Sequence, residues 1–372
     1  MRSSIGARKI NFGFGCLASA TRWYSAPADA ALRSAGLMKQ TGRANSCPDT
    51  TRQKEIGVAE QTNISWSTSS WSPWIGCTEV SDGCKNCYAR ELDKRYKWGG
   101  ATHWGAGVPR HRTKNWNAPL AWNKKAEATG QRWTVFPSLC DPFDNEVPVV
   151  WRHDFWKLIQ ETPNLTWLLL TKRIGNVAKM WPGIVEAPPP NVWLGASVVN
   201  QEEADRDIPK LLATPAAKRF VSYEPALGPV DFYPWLFGPR YPADGAFFEK
   251  GTPVCQGHGR PAPCCTGLDQ IIIGGESSQG GAKARPFFVS WARSAANQCA
   301  AAGVPCFVKQ LGSFPIERQG GALNWPKGTR WTPDDSGEHI EDWIKLRDRA
   351  GADPAEWPSD LQVQEFPAQA AK

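Results

Sequence analysis

The sequence predicts an α/β protein on a parallel sheet, either a whole or partial (β/α) barrel or a doubly wound sheet. Three observations carry that expectation. Six short apolar runs recur, at 133–139, 165–171, 192–197, 219–224, 270–275 and 304–310. They are apolar throughout rather than alternating, as strands covered on both faces are. Helix-like segments separate most of them, which is the alternation of a parallel α/β fold.

Each element has its local reason. Segment 149–161 reads as a helix before the second run. Segment 202–213 follows Asn200-Gln201 and carries Glu202 and Glu203 in its first turn, which suits a helix N-terminus. Segment 289–302 stops at Gly303, a good helix end. Earlier, 71–75 reads as a strand feeding a cysteine loop, and 88–97 as a helix leaving it. Residues 98–130 and 237–267 read as insertions rich in Gly, Trp or Pro. Segment 313–372 reads as a C-terminal extension with a helix at 340–350.

With 372 residues and 41% apolar content, the chain can bury one large core. Its longest apolar runs fall well short of a membrane span. The net charge of +7 is unevenly placed: residues 1–57 hold nine Lys/Arg and three Asp/Glu, so the rest is near neutral. The basic pI is therefore weak evidence for nucleic-acid binding by the folded part. Residues 1–57 read as a disordered or mis-assigned tail, with a transit peptide as the alternative. The eleven cysteines cannot all pair, and no secretory signal is evident. A reducing cytoplasm is the expected location, and no membrane partner is expected.

Polar residues gather where the runs end. They are Cys140-Asp141, Thr171-Lys172-Arg173, Ser197 with Asn200, Glu224, Gly274-Gly275-Glu276-Ser277 and Lys309-Gln310. In a barrel these positions form the C-terminal rim, where chemistry is done. Lys172 and Arg173 suit a carboxylate or phosphate, or neutralise Glu224 or Glu276. Those two glutamates suit proton transfer, or pair with Lys172 or Lys309. Ser197, Asn200 and Gln201 suit a nucleoside, and Asn200 equally suits a helix cap.

Cys77, Cys84 and Cys87 form a C-x6-C-x2-C motif. Three thiolates on one loop can hold three irons of a four-iron cluster and leave the fourth open. A structural zinc site wants four ligands, and Cys140 is the candidate fourth. Unliganded structural thiols are the remaining alternative. Trp66, Trp71 and Trp74 would shield such a site or offer a stacking platform. Cys255, His258, Cys264 and Cys265 are a second candidate zinc set, or incidental residues of an insertion.

The run Gly76-Cys77 through Ser81-Asp-Gly83-Cys84-Lys-Asn-Cys87-Tyr88-Ala89 resembles the signature of a phage-associated three-cysteine-motif family of unknown function. That family is grouped with the radical SAM superfamily. The blocks at Leu169–Arg173, 191–201, 220–229, 273–277, 284–286, 303–310 and 363–367 resemble its later motifs in order. The resemblance implies a radical SAM-type barrel or partial barrel over 58–372, with a 4Fe-4S cluster on Cys77, Cys84 and Cys87. It implies S-adenosylmethionine chelating the open iron, a 5′-deoxyadenosyl radical and an external electron donor. Catalytic roles fall to Lys172, Arg173, Glu224 and Glu276, and cofactor contacts to Ser197, Asn200, Gly274, Gly275 and Lys309. The superfamily's usual spacing is C-x3-C-x2-C, and its Gly-Gly-Glu lies near the second strand rather than a late one. The substrate is unnamed: a nucleic acid, a nucleotide or a protein. The alternative function is a metal-stabilised nucleic-acid- or nucleotide-binding protein without radical chemistry.

Overall fold

The computed structural model describes residues 58–236, 254–255, 260–261, 267–278, 280–317 and 343–368. The tail at 1–57 and most of 237–267 lie outside the described residues, and of the second candidate zinc set only Cys255, on the short strand Val254–Cys255, lies inside them. An eight-stranded sheet organises the rest. We label its strands β1 (Val58–Ala59), β2 (Ser69–Trp71), β3 (Trp133–Phe136), β4 (Leu165–Thr171), β5 (Val192–Ser197), β6 (Lys218–Tyr223), β7 (Gln270–Gly274) and β8 (Cys306–Gln310).

Spatial order equals chain order, from β1 at one edge to β8 at the other. Only the β1–β2 pair is antiparallel. A doubly wound sheet reverses its winding at a switch point, and this sheet never does. The result is a curled half-barrel, so of the two expected forms the partial barrel is the one found. Unidirectional winding also brings the C-terminal ends of β2 to β8 to one mouth.

The helices α1 (Tyr88–Tyr96), α2 (Ala118–Thr129), α3 (Val149–Glu161), α4 (Gln201–Ala213) and α5 (Val289–Ala302) fall between strands. Helix α4 packs on β5 and β6, and α5 on β7 and β8. Asn200 caps α4 by accepting Glu203 N–H at 3.0 Å, and Gly303 closes α5 at φ 64°. None of the helices among the described residues is long and apolar enough to cross a membrane.

Period-2 alternation sorts the strand side chains between two faces. Trp167, Leu169, Leu194, Val221, Ile271, Ile273 and Val308 join the helices in the larger core. Leu168, Trp193, Phe220, Ile272 and Phe307 meet Trp66 in a separate cluster. Continuous apolarity therefore has the reason anticipated, since both faces are covered. Gly195 is a packing requirement within the second cluster, because a Cβ there would overlap the Phe220 ring.

Two expected elements differ. The strand at 71–75 breaks into Ser69–Trp71 and Trp74–Ile75. Pro73 has no N–H to continue the ladder, and its carbonyl accepts Thr113 N–H at 3.1 Å. Trp74–Ile75 then pairs antiparallel with His111–Arg112, within the segment 98–130. The helix at 340–350 is absent over 343–350. Its backbone donors are taken elsewhere: Ile344 N–H bonds Pro315 O at 3.0 Å, and Arg347 N–H bonds the Glu356 carboxylate at 2.5 Å.

Gly195→Ala is expected to destabilise the protein by about 1–3 kcal/mol through overpacking. Adding Phe220→Leu should relieve part of that loss. Urea melts of the single and double variants test the coupling, and strictly additive losses would contradict the contact.

Candidate functional site

The cysteine loop is fastened to the mouth at two ends. At its start, Gly76 bridges to Cys140 just past β3, and its N–H bonds Leu139 O at 3.1 Å. Gly76 sits at φ 114°, and a Cβ there would strike the His103 carbonyl. Arg173, just past β4, bridges the next residues. It donates to Cys77 Sγ at 3.4 Å, to Thr78 O at 2.5 Å and to Asp141 Oδ2 at 2.9 Å. Arg110 donates to Thr78 Oγ1 at 2.6 Å and to Asp144 Oδ2 at 2.6 Å. Both ends of that ion pair are fully enclosed, at 0% and 1% exposure.

At its far end the loop is held by Glu276, just past β7. Its carboxylate accepts Asn86 Nδ2 at 2.8 Å and Arg285 at Nε, Nη2 and the backbone N–H, at 2.5–3.0 Å. Arg285 also donates to Asp82 O at 2.9 Å. In between, Ser81 Oγ accepts Gly83 N–H at 3.0 Å, and Cys87 stands at the N-cap of α1.

Cys77, Cys84 and Cys87 are half-buried and unbridged. Burial, with Asp141 nearby, pushes the Cys77 thiol up to about 12 against the opposing pull of Arg173. Burial also raises Cys87 and Cys140. All three are therefore neutral thiols at neutral pH, and deprotonating them calls for a cationic ligand. Among the described residues, no three His, Cys, Asp or Glu side chains converge in metal-ligating geometry. The donor set itself suits a soft metal: three sulfurs, with no histidine or carboxylate among them. Trp104 and Cys87 both pack against the small core of Ile75, Ala89 and Leu139, and the Trp104 indole N–H is buried without a partner among the described residues. An unspent donor there suits a sulfur-rich ligand.

The rim residues divide into two groups. Lys172 Nζ donates to Ser197 Oγ at 2.5 Å and has no carboxylate partner among the described residues. A Cβ on Gly83 would lie 3.2 Å from this ammonium, so Lys172 faces the cysteine loop. Glu224 accepts Lys309 Nζ at 2.5 Å, and a Cβ on Gly274 would press on its carboxyl at 3.0–3.1 Å. Burial above all, with the Glu224 carboxylate nearby, raises the pKa of Tyr88. Its hydroxyl donates to Ser138 O at 2.7 Å, yet 37% of the residue is accessible. Together, Lys172, Ser197, Glu224, Lys309 and Tyr88 make a polar lining beside the thiols.

The second group braces it. Asn200 is spent on its helix cap, and Gly275 lies where a Cβ would strike the Leu311 carbonyl. Glu276 pairs with Arg285 rather than with either lysine. Arg173 serves Cys77 and the Asp141 carboxylate. Arg285, Asn86, Tyr88 and the Arg110–Asp144 pair were not picked out as site residues from the sequence. Their partners lie 9 to 190 residues away, too far for any periodic signal.

Residues 61–348 match the family described as a protein of unknown function, DUF5131. The chain belongs to that family. None of the curated proteins matches it, and none of the solved structures does. In this DUF5131 chain, the thiol loop, the rim and both fastenings all fall inside the matched segment.

Arg285→Ala removes the clamp on Glu276 and the direct link to the loop at Asp82 O. The expected loss is about 2–3 kcal/mol. Hydrogen exchange should rise at the amides of 82–88 ahead of those in β4 and β5. Uniform acceleration across both regions would contradict a local clamp.

Proposed function

We propose that this DUF5131 protein is a radical SAM-type enzyme. In this reading Cys77, Cys84 and Cys87 hold a 4Fe-4S cluster, and S-adenosylmethionine binds beside it. One observation carries the proposal: three unbridged thiols share one loop at the mouth of a unidirectionally wound half-barrel, facing a half-buried lysine that lacks a carboxylate partner. The resemblance of the cysteine run and the later blocks to a phage-associated, radical SAM-grouped family supports it. When bound, the cluster and S-adenosylmethionine would supply hydrogen abstraction through a 5′-deoxyadenosyl radical, given an electron from an external donor.

The chain's own residues do the rest. Arg173 directs an N–H at Cys77 Sγ and favours its thiolate form. The Trp104 indole, packed on the same small core as Cys87, offers a further donor. Lys172, steadied by Ser197, offers a cation to a carboxylate or phosphate. Glu224, held by Lys309 and given room by Gly274, offers an acceptor for an ammonium or a hydroxyl. Glu276 is a positioning residue, acting through Arg285 and Asn86 on the loop. Trp66, Trp193 and Phe220 fill the sheet face away from the helices with a buried apolar cluster, which would keep water from that face. The cytoplasm, where thiols stay reduced, is the proposed location.

A second reading has one observation in its favour. Cys140 is the bridge partner of Gly76, beside Cys77. Four thiols would suit closed zinc, and the protein would then be a metal-stabilised nucleic-acid- or nucleotide-binding module.

Anaerobic reconstitution with iron and sulfide, followed by electron paramagnetic resonance of the reduced protein, separates the two. The enzyme reading expects about four irons per chain and a signal altered by S-adenosylmethionine. Cys84→Ala should lose the signal, and Cys140→Ser should keep it. Lys172→Met should keep the iron and weaken the response to the cofactor or substrate. Stoichiometric zinc, lost in Cys140→Ser, would sink the enzyme reading.

A further inference from the structure

Outside the mouth lies a cleft that the proposed chemistry does not use. It encloses about 740 Å³ between the loop that follows β7 and the segment 343–350. Gly280 joins it to a smaller hollow along α1, lined by Glu91, Lys94 and Arg95. The cleft also adjoins the thiol loop, because the Lys283 carbonyl accepts Asn86 Nδ2 at 3.3 Å.

Its charges are unbalanced. Lys283 and Arg349 are exposed, and neither has an ion-pair partner among the described residues. The acidic groups nearby are engaged. Asp348 Oδ1 accepts Ala350 and Ala352 N–H, each at 2.9 Å. Glu91 pairs with Lys94 at 2.8 Å and Arg90 at 3.5 Å. These cations are not part of a diffuse basic surface, since the chain beyond residue 57 is near neutral.

The cleft also has an open aromatic. Trp343 is 46% exposed and is braced edge-on by Phe314, at 5.7 Å and 88°. Exposure then alternates along the segment. Trp343, Lys345, Arg347 and Arg349 are exposed, whereas Ile344, Leu346, Asp348 and Ala350 are half-buried. Across the cleft, Gly280 and Gly281 leave a low wall. A Cβ on Gly281 would meet nothing within 4 Å.

An open ring with flanking cations and a low, polar wall suits flat bases on a phosphate backbone. We propose that this cleft binds single-stranded nucleic acid, with a base stacked on Trp343 and phosphates on Lys283 and Arg349. Lys345 extends the cationic row. The binding stands apart from the thiol chemistry, and it names the enzyme's substrate class only if the reading above holds.

The test is fluorescence anisotropy with a labelled mixed-sequence strand of about a dozen nucleotides, as DNA and as RNA, on the full chain. Binding is expected to weaken steeply between about 50 and 200 mM salt. Trp343→Ala should weaken it about tenfold, and Trp343→Phe should restore most of that. Lys283→Ala with Arg349→Ala should weaken it and lower the salt slope by about two. The protein without added iron or sulfide should bind as the reconstituted protein does, so failure of the cluster reading would leave this result intact. Binding that is absent, or that ignores the Trp343 and cation variants, as attraction to the basic residues of 1–57 would, overturns the proposal. So does equal competition by adenosine monophosphate, which points to a free-nucleotide site, or by polyglutamate, which points to acidic peptides.

Discussion

The mouth of this half-barrel depends on balancing buried charge. Asp141 and Asp144 lie just past β3 with almost no exposure, and Arg110 and Arg173 answer them. Removing either partner would strand a desolvated charge, which costs several kcal/mol. The same two arginines also reach Thr78 and Cys77. The pairing that neutralises the strand ends is thus the pairing that places the first thiol. The Glu276–Arg285 clamp does the equivalent for the far end of the loop.

The loop, held at both ends, carries two thiols, Cys77 and Cys87, whose ionisation burial disfavours. Burial keeps them neutral, so the free protein pays little electrostatic penalty for gathering sulfur near two carboxylates. A soft cationic ligand would reverse that preference at once, and the arginine N–H on Cys77 would then favour the charged form. Lys172 faces the loop at Gly83, and among the described residues its ammonium has a hydroxyl partner and no carboxylate, which leaves a positive seat there.

Much of this arrangement was legible in the sequence. Continuous apolar runs marked the parallel strands, and polar residues at their ends marked the rim, because sheet geometry sends both to fixed places. Asn200 and Gly303 announced their helix ends through local backbone chemistry. Pro73 was the local signal against a continuous strand at 71–75, and the expectation of a strand there overlooked it. The braces were not legible. Glu276 finds Arg285 and Asn86, and Arg110 finds Asp144, through the winding of the sheet alone. Segment 343–350 reads as helical by composition, but its backbone donors bond to Pro315 and to Glu356, partners that only the fold supplies.

The cleft at Trp343 and the thiol mouth share the loop that follows β7, so one strand end would serve both the chemistry and its substrate. The central claim remains the open metal position at the thiol loop. Mössbauer spectroscopy of the ⁵⁷Fe-reconstituted protein, with and without S-adenosylmethionine, addresses it most directly. The account predicts that about a quarter of the iron absorption, one site of a four-iron cluster, shifts when the cofactor binds. A cluster spectrum that is unchanged by the cofactor would contradict it.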